Sequence, residues 1–155
     1  MSSTGTSSTQ EQDNQTEADR LEANKAVARR YFDGVGGQDL DKLSEFIAED
    51  AVDETRAGAG PASIEDFREH ARWLWANVGE AKAIVTDLIA EGDRVVAFWR
   101  LEGVHIGEVF GVPATGRHFS GISISTLTIR AGKVVRYSVL PDRLGFIKQL
   151  SDNPS

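Results

Sequence analysis

The chain has 155 residues, with 17 Lys and Arg against 24 Asp and Glu for a formal net charge of -7, and it contains no cysteine. That is one domain's worth of chain, and 40% hydrophobic with 26% charged residues is the balance of a globular fold with material for a core, which excludes a disordered or collagen-like polymer. The acidic surplus argues against nucleic acid and anionic membrane as partners, because both are held by basic surfaces, and the missing thiols exclude disulfides, thiolate zinc sites, iron-sulfur clusters and cysteine nucleophiles.

Residues 1–19 carry only Met1 and Ala18 as apolar members, too few to offset the entropy of ordering, so they are expected to form a disordered polar tail. A single domain is expected over 20–150, followed by a short tail at 151–155. Leu21, Ala28, Tyr31, Phe32 and Val35 recur at helical spacing and predict a first helix that stops at Gly36-Gly37. Asp39 can cap a short second helix presenting Leu40, Leu43, Phe46 and Ile47 and closing near Ala48-Glu49-Asp50, with a brief extended piece around Val52. The run from Arg56 to Pro61 is loop material. Ser63, with Asp66 three residues on, opens a third helix carrying Ile64, Phe67, Ala71, Leu74 and Val78.

After Gly79 the period becomes extended. Strands are predicted over Ala83–Ile89, Arg94–Glu102, Phe119–Ile129 and Val134–Leu140, with a Gly- and Pro-rich turn at 107–117 and a tight turn at Ala131-Gly132. A closing helix follows Pro141, with Leu144, Ile147 and Leu150 on one side. Helices first and an antiparallel meander after them give an α+β fold with the helices on one face of a strongly curved sheet. Such a cone is a natural pocket for a small molecule, so function is expected on inward-facing strand residues. No stretch approaches the roughly 18 consecutive apolar residues of a membrane helix and no secretory start is visible, so a soluble, cytoplasmic protein is expected.

The P-loop, GxGxxG, HExxH, GxSxG and EF-hand motifs are absent and the three histidines show no metal spacing, so neither cofactor nor metal is expected. Proton transfer and shape remain. Strict alternation puts His105 on the inward face with Val95, Ala97, Trp99 and Leu101, unless Gly103 bulges, and there it could act as general acid or base or simply anchor a loop. Tyr137 could hydrogen-bond a ligand carbonyl or simply reach water, and Asp142 could move a proton or cap the last helix. His105, Tyr137 and Asp142 are the catalytic candidates. Trp99, Trp75, Tyr31, Phe119 and His118 are the candidates for ligand contact, and since Trp73 and Trp75 project about 200° apart on their helix, one of them is expected to cover a cavity mouth or a partner. Asp53 and Glu54 reach a possible rim, whereas His70 and Arg72 read as a wetted helix face.

Several stretches together resemble the SnoaL-like polyketide cyclases over residues 24–150: Asn24-Lys25-Ala26-Val27, Asp39-Leu40-Asp41-Lys42-Leu43, the run Asp87 to Ala97, His105-Ile106-Gly107-Glu108, Gly111 to Arg117, Phe119-Ser120-Gly121-Ile122 and Asp142-Arg143-Leu144-Gly145. The resemblance implies the cone-shaped barrel of nuclear-transport-factor-2-like proteins, a homodimer paired through the open sheet face, and aldol ring closure of a hydrophobic, polycyclic polyketide without cofactor or metal. It also implies a catalytic carboxylate on the last strand, at the position where this chain has Val139. Val139 moves no proton. The reading is therefore a cyclase with a different acid/base set, with an epoxide-opening enzyme using Arg100 and Glu102, or a non-catalytic binding protein, as the alternatives.

Overall fold

The computed structural model of the protein describes residues 4–37, 39–56 and 60–151. The elements are α1 (Thr4–Gly37), a 3-10 turn (Asp41–Glu45), β1 (Ile47–Asp53), a second 3-10 turn (Glu54–Arg56), α2 (Ile64–Asn77), β2 (Val78–Glu91), β3 (Arg94–His105), β4 (His118–Arg130), β5 (Lys133–Pro141) and α3 (Arg143–Ser151). One five-stranded sheet runs in the order β1-β5-β4-β3-β2, antiparallel throughout except for β1 beside β5. Among the described residues no helix is long and apolar enough to cross a membrane.

The meander follows from alternation. In β4 every second residue from Phe119 to Ile129 is buried, and β3 buries Val95, Ala97, Trp99, Gly103 and His105 on the same side. The pairing of β3 with β4 runs unbroken through Gly103↔Phe119, so Gly103 carries no bulge there; it instead lets β2 approach closely, since a Cβ at this position would lie 2.8 Å from the Gly79 carbonyl oxygen. Bulges fall elsewhere, in β2 after Gly79 and Val85 and in β5 at Val135, which lets Val134 and Tyr137 both point inward. These irregularities bend the sheet around two apolar clusters. The larger joins Tyr31, Phe32, Phe46, Phe67, Trp99, Leu127 and Tyr137; the smaller lies under α3 and contains Leu74, Val78, Val109, Phe119, Phe146 and Leu150.

Two boundaries differ from the sequence reading. Helix α1 starts at Thr4, so it runs through most of the stretch expected as a tail; the side chains of residues 9–20 face solvent, with local bonds such as Thr16 Oγ1 to the Gln12 carbonyl and Arg20 to Glu17. Residues 1–3 and 152–155 of the two expected tails, and 57–59 of the expected loop, lie outside the described residues. The second helix shrinks to a 3-10 turn, and Ile47 to Asp50, expected as its end, belong to β1. The open edge of β5 decides this: Val134 donates to the Phe46 carbonyl at 2.8 Å and Ile47 pairs with Val134, giving backbone partners that a short isolated helix lacks.

Ser63 caps α2 as expected, although its hydroxyl accepts from the Glu65 amide rather than that of Asp66. Helix α3 lies across β4 because Gly121 has no side chain: a Cβ there would run into the Phe146 ring. Gly121→Val should therefore lower stability by about 1–3 kcal/mol through overpacking, read as a fall in the urea midpoint.

Candidate active site

Between α1, α2, the sheet and the β3–β4 loop lies a cavity of about 400 Å³. Its inner walls are aromatic: Tyr31, Phe32, Phe67, Trp99 and Tyr137, each no more than 8% exposed. Tyr31 and Tyr137 have ring centroids 4.6 Å apart, and Phe32 and Trp99 5.1 Å apart. Trp73, Thr55 and Arg143 are exposed lining residues and so mark the mouth.

The polar groups of the walls form two sets. In the first, the Trp99 indole Nε1 donates to Ser125 Oγ at 2.8 Å, and Ser125 Oγ lies 2.9 Å from the Tyr137 hydroxyl, which is also hydrogen-bonded to Tyr31. Burial pushes both phenols well above the ordinary tyrosine range and the nearby Asp53 charge adds to this, so both stay protonated at neutral pH. In the second set, Asp53 ends β1 with its carboxylate removed from solvent. Its Oδ1 accepts from the Thr55 amide at 3.0 Å and the Thr55 hydroxyl at 2.6 Å, and its Oδ2 lies 3.1 Å from His70 Nδ1. Burial favours the protonated acid, but the His70 and Thr55 hydrogen bonds outweigh it and hold the carboxyl below its usual range. An ionised Asp53 requires the proton on Nδ1 of His70, which leaves Nε2 unshared on a ring that lines the cavity.

Of the eight catalytic and ligand-contact candidates, Tyr137, Trp99 and Tyr31 line the cavity and the other five do not. His105 is fully buried, but its strand runs past the cavity and its ring turns into the following loop. Nδ1 accepts from two donors on Thr115, the amide at 3.2 Å and the hydroxyl at 2.9 Å, and Nε2 donates to the Val112 carbonyl at 3.1 Å. Both nitrogens are engaged, so the loop-anchoring alternative describes His105; it acts on the cavity through Val109 and Phe110, which that loop supplies to the lining. Asp142 is exposed and caps α3, its Oδ1 accepting from the Gly145 amide at 3.1 Å. Phe119 meets the His105 and Phe146 rings edge to face in the smaller core, and His118 is exposed at the start of β4.

The tryptophan pair divides as the helical geometry requires: Trp73, 45% exposed, lines the mouth, and Trp75 packs against the smaller core. Arg100 and Glu102 meet through Ser120 on the outer face, away from the cavity. The residues that sequence reasoning set aside are His70 and Asp53. The signal was slight: a lone carboxylate at a strand end, and a histidine three residues after Phe67 on α2, the distance that brings both to one helix face. Among the described residues no group of three or more His, Asp or Glu side chains is placed to hold a metal ion.

Because the folded Asp53 carboxyl lies below the ordinary aspartate value of 3.8, its contribution to stability is present above about that pH and lost as pH falls through the lower folded value. Asp53→Asn should cost about 1–3 kcal/mol at pH 7, and the gap from the parent protein should close below pH 4, read from urea midpoints across pH 3–7.

A family model described as SnoaL-like polyketide cyclase matches residues 25–150. Aklanonic acid methyl ester cyclase DnrD of Streptomyces peucetius is 32% identical over 132 residues, 81% of this chain and 89% of the relative. Nogalonic acid methyl ester cyclase of Streptomyces nogalater is 31% identical over 121 residues, 72% and 85% of the two chains. Among solved structures, TsrD from Streptomyces laurentii superposes with a TM-score of 0.75 at 25% identity, covering 84% of this chain and 96% of that one. The curved sheet, the helices packed on it and this match over nearly the whole described chain agree, and the chain belongs to the SnoaL-like polyketide cyclase family.

Proposed function

We propose that the protein closes a ring of an aromatic polyketide by intramolecular aldol addition inside the cavity, with His70 moving the proton and Tyr137 stabilising the negative oxygen. The observation that carries this reading is the meeting, in one aromatic-walled cavity, of a histidine backed by a buried ionised carboxylate and a phenol held protonated. His70 Nε2 takes a proton from the carbon beside a carbonyl. The resulting enolate carbon attacks a second carbonyl of the same molecule, a carbon–carbon bond forms, and the new alkoxide takes the proton back from His70. Nothing enters or leaves, so the product is an isomer of the substrate.

Each wall group has a place in that sequence. Asp53 stays ionised and holds the imidazolium between the two transfers. Ser125, which accepts from Trp99, can pass its own proton toward the Tyr137 oxygen, and with Tyr31 also bonded there the Tyr137 proton is the one left for a ligand oxygen. The chain is thus preorganised to donate where charge develops. An apolar cavity of this size suits a planar, hydrophobic ring system, and the relatives are named as cyclases of aklanonic and nogalonic acid methyl esters.

We also propose a homodimer through the outer sheet face. Phe98, Ile124 and Leu140 are successive cross-strand neighbours there, with Ile84 and Ile122 on either side of Arg100 in a nearby row, and four of these five apolar residues are at least 37% exposed. Sedimentation should give twice the 16.9 kDa chain mass, and Ile124→Glu should give the chain mass itself; a parent protein that sediments as a monomer at all concentrations overturns the pairing.

For the chemistry, the parent protein should convert aklanonic or nogalonic acid methyl ester to an isomer of unchanged mass. His70→Ala should lose about 100-fold or more in turnover, and Tyr137→Phe about 100-fold, with circular dichroism unchanged. Full turnover by His70→Ala would overturn the assignment.

A further inference from the structure

The inward face of β4 presents two serines in succession, and their surroundings differ. Ser125 is sealed in the wall, where its Oγ accepts from Trp99 and meets the Tyr137 hydroxyl. Ser123, two residues earlier, is only 3% exposed and lines the cavity, with Trp99 opposite it on β3 and Pro141 opposite it on β5. Among the described residues its hydroxyl has no hydrogen-bond partner. No fully buried side-chain oxygen among those residues lacks one, so the Ser123 Oγ is open, and at a residue this buried it opens into the cavity that it lines.

The place of that hydroxyl along the wall gives it a use. Residues two apart on one face of a strand lie about 7 Å apart. The Tyr137 hydroxyl is 2.9 Å from Ser125 Oγ, so the Ser123 hydroxyl and the Tyr137 proton are spaced along one wall by the width of a six-membered ring bearing an oxygen at each end. The next inward position on β4, Gly121, is covered by the Phe146 ring, which closes the wall beyond Ser123. The imidazoles of His70 and His105 are bonded to other groups, so Ser123 has no base beside it and is a neutral binding group, with one donor and two acceptor lone pairs, and not an activated nucleophile. An alanine would leave the same room; the oxygen is what distinguishes this residue.

We propose that Ser123 is a specificity-determining residue of the cavity: its hydroxyl donates to a second oxygen of the guest, across one ring from the oxygen that Tyr137 holds. This rests on the cavity being the ligand site, as in the preceding reading, and adds the register of the guest within it. A guest held at one oxygen can pivot about that bond. A second bond at the closed end fixes which carbonyl faces Tyr137, and with it which ring closes. A guest without the second oxygen forgoes that bond and binds more weakly.

The test compares anthraquinone, with an oxygen at each end of its central ring, with anthrone, the same skeleton with one of those oxygens absent. Each is titrated against the full chain and read by quenching of its tryptophan fluorescence. Anthraquinone should bind about fivefold more tightly, the worth of one hydrogen bond. Ser123→Ala should remove that preference while leaving anthrone affinity within about twofold of the parent value. Equal affinity for the two probes in the parent protein, a preference that survives in Ser123→Ala, or a Ser123→Ala variant that weakens both probes alike, overturns the role of Ser123 and leaves the cavity standing as a ligand site. Binding of neither probe, with the fold intact by circular dichroism, overturns that role and the cavity reading together.

Discussion

A carboxylate taken out of water has to be met by donors or it unfolds its surroundings, and this protein takes Asp53 out of water at the end of an edge strand. The penalty for an unpaired buried charge is several kcal/mol, comparable to the whole stability of a small domain. Three donors meet it: two from Thr55 in the adjoining 3-10 turn and one from His70 on α2. The requirement therefore ties the edge of the sheet to a helix seventeen residues away in the chain. In the parallel register, Asp53 stands opposite Tyr137 on β5. One buried charge thus fixes the relative placement of the imidazole and the phenol, the two groups with chemistry to offer.

The aromatic wall follows the same logic of satisfaction. Trp99, Ser125 and Tyr137 come from three neighbouring strands, and each buried polar atom finds its partner in the next side chain. Among the described residues no buried side-chain nitrogen or oxygen lacks a hydrogen-bond partner. A wall satisfied from within does not need solvent to complete it, so a guest can displace water from the cavity without leaving polar atoms stranded. Rigid donors in a water-poor space also need little reorganisation when charge appears on a substrate oxygen.

How far this was legible depends on the range of the interaction concerned. The alternation of Val95, Ala97 and Trp99 is local, and it placed Trp99 on the inward face; Ala131-Gly132, both at positive φ, marked its turn for the same reason. His105 has the face that alternation assigns, yet where the cavity ends along β3 depends on α2, the loop and α3, and no local pattern encodes that. His70 looked like one polar residue among the charges of α2, because its partner is contributed by a strand whose first half propensity alone reads as the end of a helix. The extra residue in β5 at Val135 likewise depends on the pairing with β4, and without it Val134 and Tyr137 would face opposite ways.

Val139 gives the last step. It lines the cavity, opposite Ser125 in the register of β4 and β5, at the position where the family resemblance would put a proton-moving carboxylate. A carboxylate base serves neutral chemistry only when a dry, apolar setting raises its proton affinity, so it must sit deep. An imidazole titrates near neutrality without that help and tolerates partial exposure. His70, whose side chain is 29% exposed, occupies the kind of half-wet position that would disarm a carboxylic base and suits a histidine. Under the proposed mechanism the proton is therefore moved by the His70 imidazole rather than by a group at the Val139 position, and the chemical type of that group suits the partial exposure of its place.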